Sequence, residues 1–199
     1  MAIVAWALTS RANLKELLDI ASGDTSKDTL LDNLINRATY LIESYCNNRR
    51  FASTVYTSQE YDGTGTYYIN LRHFPVTALS AQQRNHGTIG SADWNDLESD
   101  FVKLIDNGEG PGQVFYQPGF FKGVRNYRFS YTAGYTTIPY DLEQACLELC
   151  SYMYNDRKAK GMKSETLGEY SYTKETKTGN MFEDLGIDLV LDKYREPII

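Results

Sequence analysis

Residues 30–46 read LLDNLINRATYLIESYC. Within them Leu30, Leu31, Leu34, Ile35, Ala38, Leu41, Ile42, Tyr45 and Cys46 recur at three- and four-residue steps, which gathers them on one side of an α-helix. This is the strongest periodic signal in the chain. Asp32, Asn33, Arg37 and Glu43 fall on the opposite side. Thr25, with Asp28 three residues later, has the form of a capping box and predicts the start of the helix. Asn47-Asn48 predicts its end. A helix of about 20 residues is a rod of about 30 Å at 1.5 Å per residue.

Upstream, Thr9 or Ser10 is placed to cap a shorter helix carrying Leu14, Leu17, Leu18 and Ala21 on one face, and Ser22-Gly23-Asp24 breaks it. Downstream the pattern changes to a two-residue period. Val55 to Tyr61 leads into Asp62-Gly63-Thr64-Gly65, after which Tyr67, Ile69 and Leu71 alternate with Tyr68, Asn70 and Arg72. That pattern predicts a hairpin. Val76 to Gln83, Phe101 to Ile105, Gln113 to Tyr116 and the alternating Tyr127, Phe129 and Tyr131 supply further short strands, enough for a small barrel or sandwich. After Pro139 a helical stripe returns at Leu142, Ala145, Cys146, Leu149, Cys150 and Met153. Asp141 and Glu143 sit in its first turn and Arg157, Lys158 and Lys160 in its last, as the helix dipole favours. Gly161 stops it, and the remainder is polar until a modestly apolar stretch from Met181 to Tyr194.

The predicted fold class is α+β: a bundle of two or three α-helices, an inserted antiparallel β-sheet or barrel-like region, and an extended C-terminal tail. The predicted parts are residues 1–48, 49–132, 133–161 and 162–199.

Composition narrows the function. The chain has 199 residues, 42% hydrophobic and 23% charged, which suits a globular chain of one domain with an elaboration. The longest purely apolar run, Ala2 to Leu8, is far shorter than the roughly 20 residues that span a bilayer. It also lacks the basic start and cleavage site of a secretory signal, so a soluble, non-exported protein is expected. Three cysteines in no framework spacing fit a reducing compartment. The net charge of −6 argues against gripping nucleic acid by its phosphates. Sixteen tyrosines point equally to a Tyr-rich sheet or to broad protein contacts.

Catalytic groupings are sparse. His73 and His86 are the only histidines, and neither lies in a nucleophile signature. Gly108, Gly110 and Gly112 read as a hairpin loop and not as a phosphate cradle. Cys146 and Cys150 lack two further zinc ligands and read as core residues. Asp93, Asp96, Glu98 and Asp100 miss the spacing of a calcium loop and read as a solvated acidic loop. Arg49-Arg50 fits a helix C-terminus as well as an acidic partner. No catalytic residue, cofactor or metal is expected, and the chain is read as a non-enzyme.

A family resemblance is carried by several runs in order: Leu14-x-x-Leu17-Leu18, Ile42-Glu43-Ser44-Tyr45-Cys46, Phe51, Glu60-Tyr61-Asp62-Gly63-Thr64-Gly65 and Leu71…Phe74-Pro75-Val76. The most specific runs follow, Tyr131-Thr132-Ala133-Gly134-Tyr135 with Ile138-Pro139-x-Asp141-Leu142, and Ser164-Glu165-Thr166-Leu167-Gly168-Glu169-Tyr170-Ser171-Tyr172. In that order the chain resembles the head–tail connector (adaptor, or head completion) proteins of tailed bacteriophages. Residues 81–125 look like an enlarged β insertion and residues 175–199 like an added tail relative to many members.

The resemblance implies a structural protein of the virion neck, assembled in the host cytoplasm. It implies a ring beneath the portal protein, a dodecamer in the virion and a monomer when free, that extends the DNA channel. It also implies a docking surface for the next neck or tail protein, a stopper or tail terminator. Double-stranded DNA would pass through the lumen without sequence-specific binding, and no membrane is involved. The candidate partner interface is Tyr170, Tyr172, Met181, Phe182 and Leu185 toward the portal, with Phe120 and Phe121 toward the tail. The competing reading is a carbohydrate- or ligand-binding β module stacking sugars on Trp94, Tyr116 and Phe120. A small hydrolase would require a metal at the cluster around Asp93.

Overall fold

A seven-residue helix, α1 (Arg11–Leu17), opens the described chain, and the Ser10 hydroxyl caps it by accepting a hydrogen bond from the Asn13 N–H at 3.2 Å. The computed structural model describes residues 2–88, 90–105, 112–157, 164–167, 170–173 and 181–195. The chain divides into a helical unit, Met1–Arg49 with Ile138–Ile199, and a β unit, Arg50–Thr137.

The long helix α2 (Asp28–Tyr45) begins three residues later than the capping-box reading placed it. The Asp28 N–H donates to the Thr25 carbonyl at 3.2 Å, but its side chain does not reach back as a capping box requires. Its carboxylate instead takes Lys15 Nζ at 2.6 Å and Arg11 Nη1 at 2.8 Å. The turn ahead of the helix is held by Asp24, whose carboxylate accepts from the Ser26 N–H at 2.9 Å. Leu31, Leu34, Ile35, Ala38 and Ile42 are buried, as the periodicity requires. Asp32 and Glu43 are buried too, at 4% and 5% exposure, although the sequence placed both on the side away from the apolar stripe. The N-terminal segment lies along that side at Asn36 and Thr39. Asn36 accepts from the Val4 N–H and donates to the Ala2 carbonyl, both at 2.9 Å, and Thr39 Oγ1 accepts from the Leu8 N–H at 3.3 Å. Asp32 takes Arg11 through two bonds of 2.7 and 2.8 Å.

The β unit holds two antiparallel sheets. One is ordered β1-β7-β3-β4, from β1 (Thr54–Gly63), β3 (Val76–Asn85), β4 (Trp94–Asp96) and β7 (Gly123–Ala133). The other is ordered β2-β6-β5, from β2 (Tyr68–Asn70), β5 (Val102–Ile105) and β6 (Gln113–Tyr116). The predicted hairpin across Asp62–Gly65 does not form: β1 pairs with β7, and β2 pairs with β6. Alternation identifies a strand and the face it buries, but it does not choose a partner. The chain changes sheets after Gly63, where a Cβ would lie 1.8 Å from the Phe121 carbonyl, so only glycine fits. Thr64 and Thr66 hydroxyls then bond the Tyr68 carbonyl, each at 3.1 Å, and steer the strand into the second sheet.

The central strand β7 turns Tyr127, Phe129, Tyr131 and Ala133 inward, against Tyr61, Ile69, Leu71, Val76, Val114 and Phe120. Burying each large side chain stabilises the unit by roughly 1.5–3 kcal/mol. The tyrosines keep their hydroxyls satisfied: Tyr61 and Tyr131 bond one another at 2.8 Å, and the Arg72 N–H donates to Tyr61 Oη at 3.1 Å.

Helix α3 (Tyr140–Asp156) returns to the helical unit and buries Leu142, Ala145, Cys146, Leu149, Cys150 and Met153. A short hairpin follows, β8 (Ser164–Leu167) with β9 (Tyr170–Thr173). The chain described at 181–195 is not extended, contrary to expectation. It forms α4 (Met181–Leu185) and α5 (Asp188–Asp192), and buries Ile187 and Leu191.

Candidate functional site

The reactive side chains picked out in the sequence are engaged in packing. Among the described residues, no three His, Cys, Asp or Glu side chains converge as a metal site would require. His73 stacks on Tyr56 with ring centres 3.7 Å apart, and burial, assisted by Arg72, holds its pKa below the usual 6.5. Cys146 and Cys150 are buried, and the hydrogen bond between them together with burial raises the Cys146 pKa well above its usual value. Burial pushes the Cys46 thiol up to about 12, and its Sγ donates to the Leu191 carbonyl at 3.6 Å. Thiols held protonated in this way are poor nucleophiles and poor metal ligands. In the acidic loop, Asp96 accepts from Gln83 Nε2 at 2.6 Å.

The predicted partner residues separate into three environments. Phe120 is 2% exposed and sits in the β core, edge-on to Tyr127 at 4.9 Å, so its ring is committed to packing and not to a surface. Phe121, the next residue, is 55% exposed, with the Arg84 guanidinium 4.2 Å from its ring centre. Met181, Phe182 and Leu185 lie on α4, all half-buried. The Phe182 ring lies 4.8 Å from Tyr45, whose hydroxyl donates to Asp192 at 2.9 Å. Arg49 Nη1 donates to the Tyr194 carbonyl at 2.7 Å, and the Tyr194 hydroxyl donates to Asp141 at 2.6 Å. The end of the chain is thus fastened to α2 and α3. Tyr170 and Tyr172 fall on β9, with side chains outside the described residues.

Other exposed apolar side chains mark surfaces that the sequence reading missed. In the β unit Tyr67 and Tyr68 are exposed, and Tyr67 lines a shallow groove of about 330 Å3, where Gly65, Pro118, Gly119, Phe121 and Lys122 also contribute. In the helical unit Leu17, Tyr40, Tyr140 and Leu189 stand out from the surface. The available signal was periodicity: Tyr40 is an apolar residue off the buried stripe of its helix, and Tyr140 precedes the stripe of α3.

The sequence matches the head completion protein family model over residues 7–196. The chain belongs to the head completion protein family. It is a structural head–tail connector. No curated protein matches its sequence. Three solved structures resemble this head completion protein across its whole length. A chain in the neck of an empty gene transfer agent particle, computed with C6 symmetry, has a TM-score of 0.59 at 13% identity, covering 100% of this chain and 96% of that one. A chain in the virion of a native gene transfer agent particle gives 0.57 at 14% identity, covering 100% and 94%. A chain in the neck of the native particle, computed with C12 symmetry, gives 0.54 at 14% identity, covering 100% and 96%. At such identities the likeness is one of fold.

Proposed function

We propose that this head completion protein forms a closed ring in the virion neck beneath the portal, extends the DNA channel, and offers the next neck or tail protein its docking surface. The observation that carries this reading is the family match over residues 7–196. The neck structures it resembles were computed with C6 and C12 symmetry, and a ring of twelve copies satisfies both. The net charge of −6 suits a conduit, because a lumen with the sign of DNA discourages sticking. No helix among the described residues is long and apolar enough to cross a membrane. We read the protein as non-enzymatic, with residues 1–48 and 133–161 as the adaptor core, 49–132 as an insertion facing the tail, and 162–199 facing the portal. The rival ligand-binding reading needs an open aromatic platform. Two of its three residues speak against one: Phe120 is buried, and Trp94 carries the Arg128 guanidinium 4.4 Å from its ring centre.

The test is mass determination of the purified protein alone and mixed with its virus's portal ring. A stable complex with many copies per portal is expected. No association at any salt or pH would overturn the reading, with glycan binding tested next. Replacing both Tyr170 and Tyr172 by Ser probes the portal-facing segment. Truncation before residue 175 is a poorer probe, because it also removes the buried Leu191. Unchanged portal affinity in the double variant would place those tyrosines outside the contact.

A further inference from the structure

A ring of identical subunits needs two different surfaces on each copy, one for each neighbour. The helical unit carries two that share no residue. The first is a groove of about 440 Å3 between α1 and α3. Its apolar lining is Leu17, Leu147 and Tyr140, with Leu17 46% and Tyr140 74% exposed. Its charged residues are both acidic, Glu16 and Glu143. Glu143 is already engaged, accepting from Thr9 Oγ1 at 3.0 Å and from Asn13 Nδ2 at 2.7 Å. Glu16 is exposed and forms no ion pair among the described residues.

The second surface is the outer side of α2. Tyr40 lies on the face away from the stripe of Leu31, Leu34, Ile35, Ala38 and Ile42, and is 50% exposed. Trp6 meets its ring edge-on, with centres 6.4 Å apart, which fixes the direction in which Tyr40 stands. Arg37, one turn earlier on the same exposed side, forms no ion pair among the described residues.

We infer that the α1–α3 groove of one copy receives Tyr40 of the next, with Arg37 meeting Glu16 across the contact. This rests on the ring reading given above. The complementarity is of two kinds. An aromatic knob with a polar tip faces an apolar groove that has room for it, and an unengaged cation faces an unengaged carboxylate at the groove's edge. Aromatic anchors seated in pockets dominate the energy of such contacts, while the rim charges set orientation. Because knob and groove lie on different surfaces of one subunit, the contact repeats head to tail, the kind of contact a ring requires.

The test uses the full-length protein with Glu16→Cys and Arg37→Cys, singly and together. A short bis-maleimide is added to the protein alone at high concentration and bound to its portal ring. The native cysteines are all buried, so the reagent reports the introduced pair. A ladder of linked subunits is expected only when both substitutions are in the same chain, since each single substitution places like residues a full subunit apart. In a parallel series on the unmodified background, Tyr40→Ala is expected to raise the assembly midpoint about 30-fold. Arg37→Glu is expected to raise it about tenfold, and adding Glu16→Arg to restore it. All these positions are exposed, and circular dichroism confirms the fold of each variant. Assembly by mass with no ladder and no charge-swap rescue would overturn this contact and leave the ring reading standing. Wild-type protein that never assembles, alone or with portal, would overturn both.

Discussion

The helical unit and the β unit each tie together stretches that are distant in the chain, and they do so with different chemistry. In the helical unit the long-range ties are polar. Asn36 and Thr39 hold the N-terminal segment by its backbone, Arg11 joins α1 to Asp28 and Asp32, and Arg49 and Asp141 fasten Tyr194. In the β unit the buried ties are aromatic rings packed edge to face, with the Tyr61–Tyr131 hydroxyl pair among them, while polar ties such as Asp62 to the Arg125 N–H and Ser130 to the Ser58 N–H lie at its exposed margins. Helices satisfy their own backbones, so the segments laid over them need side chains as anchors. Strands satisfy one another's backbones, so the side chains are left free to fill space. The first unit should therefore depend on individual named contacts, and the second on volume.

The largest expected effect tests volume. Phe129 is fully buried at the centre of β7. Phe129→Ala should destabilise the β unit by about 3–5 kcal/mol, read as a fall in the urea midpoint of the near-ultraviolet tyrosine signal. A loss below about 1 kcal/mol would show that the aromatic core is not what holds the sheets. Next, Leu191 is the buried anchor of α5, lying beside the Cys46 thiol. Leu191→Ala should cost about 2–4 kcal/mol and should make Cys46 open to alkylation, located by peptide mass mapping. If Cys46 stays protected, the C-terminal helices are not its cover. A smaller effect tests the buried hydroxyl pair of the β core, Tyr61 and Tyr131. Tyr131→Phe should cost about 1 kcal/mol in thermal unfolding, since Tyr61 keeps its bond from the Arg72 N–H. The double change with Tyr61→Phe should cost less than the sum of the two single changes.

The same contrast explains how far the sequence could be read. The α+β class, the stripe of α2, the stripe of α3 and the inward residues of β7 all follow from spacing alone, because burial repeats with the period of each element. What spacing does not carry is partner choice. The Asp62–Gly65 turn looks like a hairpin tip, yet Gly63 and the Thr64 and Thr66 hydroxyls send the chain to another sheet. Asp32 and Glu43 look solvated from spacing, yet both are buried, Asp32 beneath Arg11 of α1. The segment from Met181 looks like a tail because its two helices are only five residues each, too short to show a period. Phe120 and Phe121 are adjacent and chemically identical, and only the turn that contains them decides that one is core and the other surface.

Acid sharpens the comparison through two titrations of opposite origin. In the β unit, burial holds the His73 pKa below 6.5, so the folded state resists a proton that the unfolded chain accepts. That loss of stability begins as pH falls through about 6.5 and is complete once pH drops below the folded value. In the helical unit, the Lys15 hydrogen bond foremost, opposed by some desolvation, holds Asp28 below its usual 3.8. Its contribution is present above that value and is lost as pH falls from about 3.8 through the folded value. The groups facing Asp28 are Lys15 and Arg11, and Arg11 also holds Asp32. Stepwise acidification should therefore weaken the tyrosine near-ultraviolet signal of the β unit before the far-ultraviolet helical signal. His73→Phe should remove the first step, because the ring stack on Tyr56 survives without the titrating nitrogen. Asp28→Asn should flatten the second. If both signals fall together in the wild type, and neither variant separates them, the two units unfold as one and the division of chemistry between them does not govern stability.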